Sequence, residues 1–150
     1  MAATAPEIVE LLQTSYNMEL ETVANYLAMS TNLDGVRAEE IKKSLAADVP
    51  EELGHASQLA ARIKQIGGVV VGSAGLKFGG QDQPPTESTD VVGAIQAVIK
   101  GEQAAIAQYR KIIKACDGED YVTQDICVKL LTDEEEHLIQ FKGFLKEYMK

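Results

Sequence analysis

The chain has no tryptophan, only two cysteines and only two histidines. It has no lysine- or arginine-rich tail: 14 basic residues face 23 acidic ones, for a formal charge of -9. Each shortage excludes something. Two cysteines, Cys116 and Cys127, cannot build a disulfide scaffold, and so low a count fits a reducing compartment. Without a basic patch, direct binding to nucleic acid or to an anionic membrane is not expected. No apolar run is long enough to span a bilayer, and Met1-Ala2-Ala3-Thr4-Ala5-Pro6 does not read as a leader. The expected location is cytoplasmic. The 150 residues, 45 % apolar, suit one domain, residues 1–150, with a sizeable core.

Apolar residues recur with a helical period in four stretches. Ile8, Leu12, Ser15, Val23, Tyr26 and Leu33 share a face of a first helix, about 6–33, with Pro6 in its first turn and Asp34-Gly35 as its stop. A second helix, about 36–66, carries Ile41, Leu45, Val49, Leu59, Ile63 and Ile66 inward and ends at Gly67-Gly68. Pro50 lies inside it, where a kink or break is expected. Residues 67–87 are rich in Gly, Pro and Ser and hold no helical period; Val69-Val70-Val71 suits a short extended contact. The third helix, about 88–116, is expected to start at Ser88 or Thr89, capped by either hydroxyl or by Asp90. Val91, Ile95, Val98, Tyr109, Ile112 and Ile113 form its inner face. The fourth, about 119–148, buries Ile126, Leu130, Leu131, Leu138, Phe141, Phe144, Leu145 and Tyr148. The result is an all-α antiparallel four-helix bundle: two helical hairpins joined by one long crossover between helices 2 and 3.

Both histidines belong to a repeated pattern. Glu19 is followed by Glu52-Leu53-Gly54-His55, and Glu102 by Glu134-Glu135-Glu136-His137. The lone glutamate precedes the Glu-x-x-His by 33 residues in the first copy and 32 in the second, and a tyrosine follows it by seven in both, as Tyr26 and Tyr109. Residues three, four and seven apart share a helix face. Glu19 therefore lies on the buried stripe with Leu12 and Tyr26, whereas Glu21 points nearly opposite. Glu102 aligns with Val98 and Tyr109, Glu134 with Leu130 and Phe141, and Glu52 with Leu59 and His55. Asp133, Glu135 and Glu136 fit less well, and the last two are expected to face water. Asp48, one turn before Glu52, is expected to be solvated, with the lining of an entry path to the metals as the alternative.

Isolated buried carboxylates cost several kcal/mol each. Two divalent cations balance four glutamates, and two neutral imidazoles complete the set. One Glu from each of two helices plus a Glu-x-x-His from each of two others is the donor set of carboxylate-bridged di-iron or di-manganese bundles. The expected metal ligands are Glu19, Glu52, His55, Glu102, Glu134 and His137. Tyr26 and Tyr109 can each orient a ligand carboxylate through the hydroxyl. On straight helices Cys116 and Cys127 stand at different heights along the bundle, and buried free thiols are expected.

With these motifs the chain resembles the ferritin-like superfamily, above all bacterioferritin and the bacterioferritin-related Dps-like cages. The resemblance implies ferroxidase activity: two Fe ions per subunit, with manganese as the alternative, passing electrons from Fe(II) to O2 or H2O2. It also implies a hollow homo-oligomer that stores ferric mineral. Bacterioferritin binds haem through a methionine at the position held here by Leu53, so haem is not expected. Few residues follow His137, which favours a dodecamer over a 24-mer. The intersubunit motif of true Dps proteins is absent. Rubrerythrins carry a further glutamate where this chain has Ala105. Two other readings are a rubrerythrin-like di-iron peroxidase or di-manganese catalase without storage, and a non-catalytic, zinc-holding structural or partner-binding bundle.

Overall fold

A computed structural model describes residues 3–149; Met1, Ala2 and Lys150 of the expected domain lie outside the described residues. Four long helices account for most of the chain: α1 (Ala5–Asn32), α2 (Glu39–Gln65), α3 (Val91–Cys116) and α4 (Tyr121–Tyr148). α1 packs along α2 and α3 along α4, and the two hairpins meet chiefly where α1 lies against α3. Among the described residues there is no strand, and no helix is long and apolar enough to cross a membrane.

Local chemistry sets the helix ends. The Thr4 hydroxyl accepts from the Glu7 N–H while the Glu7 carboxylate accepts from the Thr4 N–H, a reciprocal cap. α3 starts later than Ser88 or Thr89, because the Asp90 carboxylate takes the cap by accepting from the Gly93 N–H at 2.9 Å. α4 likewise begins at Tyr121 rather than Glu119, since Asp120 caps it through the Thr123 N–H. Val36 opens a short 3₁₀ turn, Val36–Ala38, and the second α-helix begins only at Glu39. Gly67 (φ 91°) ends α2 and Gly118 (φ 77°) turns α3 into α4; both conformations strain any residue with a Cβ.

Pro50 does not break α2, which runs unbroken through it. A proline inside a helix costs about 3 kcal/mol. The ring lies on the exposed side, and so does Ala46, whose carbonyl loses its helical partner to Pro50 and can turn to water. Meanwhile Leu45 and Leu59, both fully buried, anchor the helix on either side.

The core is two apolar plugs. Tyr26, Met29, Ile41, Leu45, Ile95, Val98 and Phe141 belong to one. Ile8, Leu12, Leu59, Ile63, Tyr109, Ile112 and Leu130 belong to the other. Cys116 and Cys127 lie in the second plug as free, buried thiols. Burial pushes the Cys116 thiol up to about 11 and the Cys127 thiol up to about 12, with Cys116 adding to the latter. Along each helix the site glutamate falls between residues of the two plugs.

The crossover is strapped to the outer face of α1. Gln13 donates to the Val69 carbonyl (2.6 Å), and Asn17 both accepts from the Lys77 N–H (2.6 Å) and donates to its carbonyl (2.9 Å). The Val69-Val70-Val71 segment thus touches α1 without forming a strand. Glu21 does point away from the site glutamate Glu19, but not into water. It is 3 % exposed and accepts from the Gly79 N–H (3.0 Å) and the Gln81 N–H (2.7 Å). Losing a charged acceptor costs about 1–3 kcal/mol. Glu21→Ala is therefore expected to speed hydrogen exchange at the Gly79 and Gln81 amides roughly ten- to hundredfold, at about 1.4 kcal/mol per decade. Unchanged exchange there would show that Glu21 does not hold the strap.

Candidate metal centre

Between the two plugs, all six carboxylate and imidazole residues singled out in the sequence meet. Glu19, Glu52, His55, Glu102 and Glu134 are at most 2 % exposed, and His137 is 6 % exposed. α1 supplies Glu19 and α3 supplies Glu102, each from the middle of the helix; α2 and α4 each supply a Glu and, one turn on, a His.

The inward nitrogens face carboxylates. His55 Nδ1 lies 2.8 Å from Glu134 and 3.5 Å from both Glu19 and Glu52. His137 Nδ1 lies 3.0 Å from Glu52 and 3.6 Å from Glu102. Close as they are, these contacts do not complete the set. Each of the six residues keeps at least one buried inward atom without a directed hydrogen bond, including both Nδ1 atoms and both Glu52 oxygens. A convergent set of hard oxygens and imidazole nitrogens, unsatisfied by one another, is a donor set that fits divalent cations.

The donors divide into two groups of four. Glu19, Glu52, His55 and Glu134 form one; Glu52, Glu102, Glu134 and His137 form the other. In each group the potential ligand atoms lie within 4.8 Å of one another. Glu52 and Glu134 belong to both groups.

Both tyrosines cross the bundle. Tyr109 on α3 donates to Glu19 on α1 at 2.6 Å, and Tyr26 on α1 donates to Glu102 on α3 through a short hydrogen bond. Each tyrosine thus serves the glutamate of the other hairpin. Burial first, and the neighbouring carboxylates second, push both phenols well above their ordinary range, so they remain donors.

The outer face of each imidazole is held by acids that sequence spacing passed over. His55 Nε2 lies 2.9 Å from Asp133, and His137 Nε2 lies 3.2 Å from Glu51. Glu51 and Asp133 immediately precede Glu52 and Glu134, so the repeated pattern includes an acid at the same place in each copy. That equivalence was readable in the sequence. Asp48 is a correction: it is only 7 % exposed, with Oδ1 3.5 Å from His137 Nε2, because its turn of α2 rests against α4. Burial raises its carboxyl to about 6, partly offset by His137. Glu136 is exposed, and Glu135 pairs at the surface with Arg110 at 3.0 Å. Leu53 is 52 % exposed.

The electrostatics are those of a crowded anionic cluster. Burial, then the neighbouring carboxylate, raises Glu19 (beside Glu52) and Glu134 (beside Glu102) well above the usual carboxylate range. Burial opposes the charge of Glu52 too, yet the close approach of Glu19, His137 and His55 holds it below that range. Burial likewise opposes both imidazoliums. Even so, Glu134, Glu19 and Glu52 hold the His55 pKa far above ordinary, and Glu102 and Glu52 push His137 up to about 12.

Fold and site together define a four-helix, carboxylate-rich metal-binding bundle with a single long crossover. Residues 9–149 match the ferritin-like domain family, and the chain belongs to it. It is 25 % identical to a bacterioferritin of Desulfovibrio desulfuricans over 139 residues, which cover 91 % of this chain and 73 % of the relative. It is 28 % identical to a bacterioferritin of Brucella melitensis over 139 residues, covering 89 % and 79 %. Among solved structures it resembles a dodecameric thioferritin, the bacterioferritin-related protein of Bacteroides fragilis. That likeness has a TM-score of 0.87 and 23 % identity over 97 % of this chain and 88 % of the other.

Proposed function

We propose that this protein is a ferroxidase that oxidises Fe(II) to Fe(III) at a paired site inside each subunit and stores the product in a hollow homo-oligomer. The observation that carries this reading is the division of the donors into two sets of four that share Glu52 and Glu134. Two cations bound side by side with two carboxylates in common can both give electrons to one oxidant, O2 or H2O2. Glu19 and His55 complete one position, and Glu102 and His137 complete the other. Tyr109 and Tyr26 fix the two unshared glutamates. Asp133 and Glu51 accept from the outer N–H of the histidines, which leaves each Nδ1 lone pair aimed inward. Oxygen and imidazole donors suit both iron and manganese, and family membership favours iron. The dodecameric neighbour supports a twelve-subunit shell.

The test is to add Fe(II) aerobically in steps, then measure particle mass by light scattering and iron by elemental analysis. Storage predicts a shell-sized particle carrying far more than two irons per subunit. Uptake that halts at two on a small particle would remove storage and leave a di-iron oxidase or peroxidase. No paired binding at all would remove the ferroxidase reading.

A further inference from the structure

Two apolar side chains near the level of the donors belong to neither plug: Ile106 on α3, which is buried, and Leu138 on α4, which is half-buried. Ile106 comes four residues after Glu102, and Leu138 comes four after Glu134. One turn on from a donor, each lies near that donor's face of its helix. The helices form a hairpin and run in opposite directions, so the two side chains bracket Glu102 and Glu134 from either end.

Both line a groove of about 400 Å³ between α3 and α4, together with Gln103, Ala107 and Ile139. Ile106, 7 % exposed, forms its floor, whereas Ala107 and Ile139 are exposed at its mouth. Two charged residues also border it, Arg110 and Glu135, but they pair with each other at 3.0 Å. That leaves a mostly apolar wall with no unmatched charge to recognise an ion, which suits a small, uncharged, apolar occupant. The side of the centre where the histidines meet α2 and α4 is opposite in character. There Glu51 and Asp133, 41 % and 38 % exposed, hold carboxylates in water.

We propose that this groove is the entry site for dioxygen, which collects against Ala107 and Ile139 and passes between Ile106 and Leu138 toward Glu102 and Glu134. This rests on the ferroxidase reading above. Glu102 and Glu134 both belong to one of the two donor groups, so dioxygen arriving here meets the cation position that Glu102 and His137 complete. O2 is apolar and gains by leaving water for such a wall. H2O2 makes hydrogen bonds that the wall cannot replace. The groove therefore sorts the two oxidants: O2 uses it and H2O2 does not. No bond is made or broken within it.

The experiment has two readouts. Crystals of the whole protein are pressurised with xenon, an apolar probe that enters sites of this kind. Xenon is expected in the wild-type groove and absent from Ala107→Trp, whose indole fills the groove from its exposed side. Fe(II) oxidation is then followed by stopped flow with O2 and, anaerobically, with H2O2. Ala107→Trp is expected to raise the KM for O2 about tenfold with kcat unchanged, inside the roughly hundredfold ceiling that ligand efficiency sets for a two-atom molecule. Its rate with H2O2 is expected to match wild type. Ile139→Gln makes an exposed wall residue polar at similar size. It is expected to raise the KM for O2 as well, and it provides the test if the tryptophan disturbs the helix pair. A wild-type groove without xenon, an unchanged KM for O2 in both variants, or equal slowing with both oxidants would each overturn the entry site while ferroxidase activity stands. Fe(II) left unoxidised by wild type with both oxidants would instead remove the ferroxidase reading and the role given to O2 with it.

Discussion

Replacing Glu52 with alanine is expected to abolish binding of both cations and to cut the Fe(II) oxidation rate by more than about a hundredfold. The bound comes from the effect of residues that only orient metal ligands, whose loss typically costs about 10–100-fold. Glu52 stands in both four-donor groups, so its removal takes one ligand from each position at once. It also lies against both inward imidazole nitrogens, 3.5 Å from His55 and 3.0 Å from His137. Its neighbours keep it ionised when Glu19 and Glu134 resist ionisation. Glu19→Ala makes the informative contrast. Glu19 occurs in only one of these groups, and its loss frees the Tyr109 hydroxyl without touching the donors around His137. That variant should retain one cation per chain. Zn(II) titration calorimetry distinguishes none, one and two; two ions per chain in Glu52→Ala would end the shared-ligand assignment.

How far the residues alone lead is visible in where reading and structure part. The helix order, the crossover and the buried faces follow from a 3.6-residue period sustained over four long stretches, the strongest pattern a chain can carry. The six donors were legible because a carboxylate or imidazole on an apolar stripe contradicts its surroundings unless something compensates it. The errors fall where one helix's pattern is blind to its neighbours. Asp48 reads as solvated on α2 alone, and it is buried only because α4 brings His137 against it. Glu21 correctly points away from the donors, yet the crossover lies over it, and nothing in the period of α1 announces that cover. Pro50 suggested a break because its local cost is real, but the apolar contacts before and after it hold α2 in one piece. The starts of α3 and α4 moved by two to three residues because several side chains near each can cap, and the structure selects one: Asp90 for α3 and Asp120 for α4.

Loading the pair is expected to release at least two protons per chain at neutral pH, and the overall affinity for two cations should then rise about a hundredfold per pH unit. The protons are those of the histidines, whose neighbouring carboxylates keep both protonated through this range, His137 up to about 12. A cation needs each Nδ1 lone pair, so each imidazolium must give up a proton first. Glu19 and Glu134, raised by burial and by a neighbouring carboxylate, can add to the count. For folding without cations the sign is opposite. A histidine whose pKa is raised on folding stabilises the fold fully below its unfolded pKa of about 6.5, and that contribution fades as pH climbs through the folded value. Acid thus favours the protonated cluster and base favours the loaded one. In both states positive charge, as protons or as metal, offsets the same buried carboxylates, which is how the fold tolerates four of them between two apolar plugs. Calorimetry of Mn(II) binding in buffers of different ionisation enthalpy counts the protons directly. Release of one or none would mean that the imidazoles already meet the metal as neutral ligands, and that something other than their protonation balances the charge in the core.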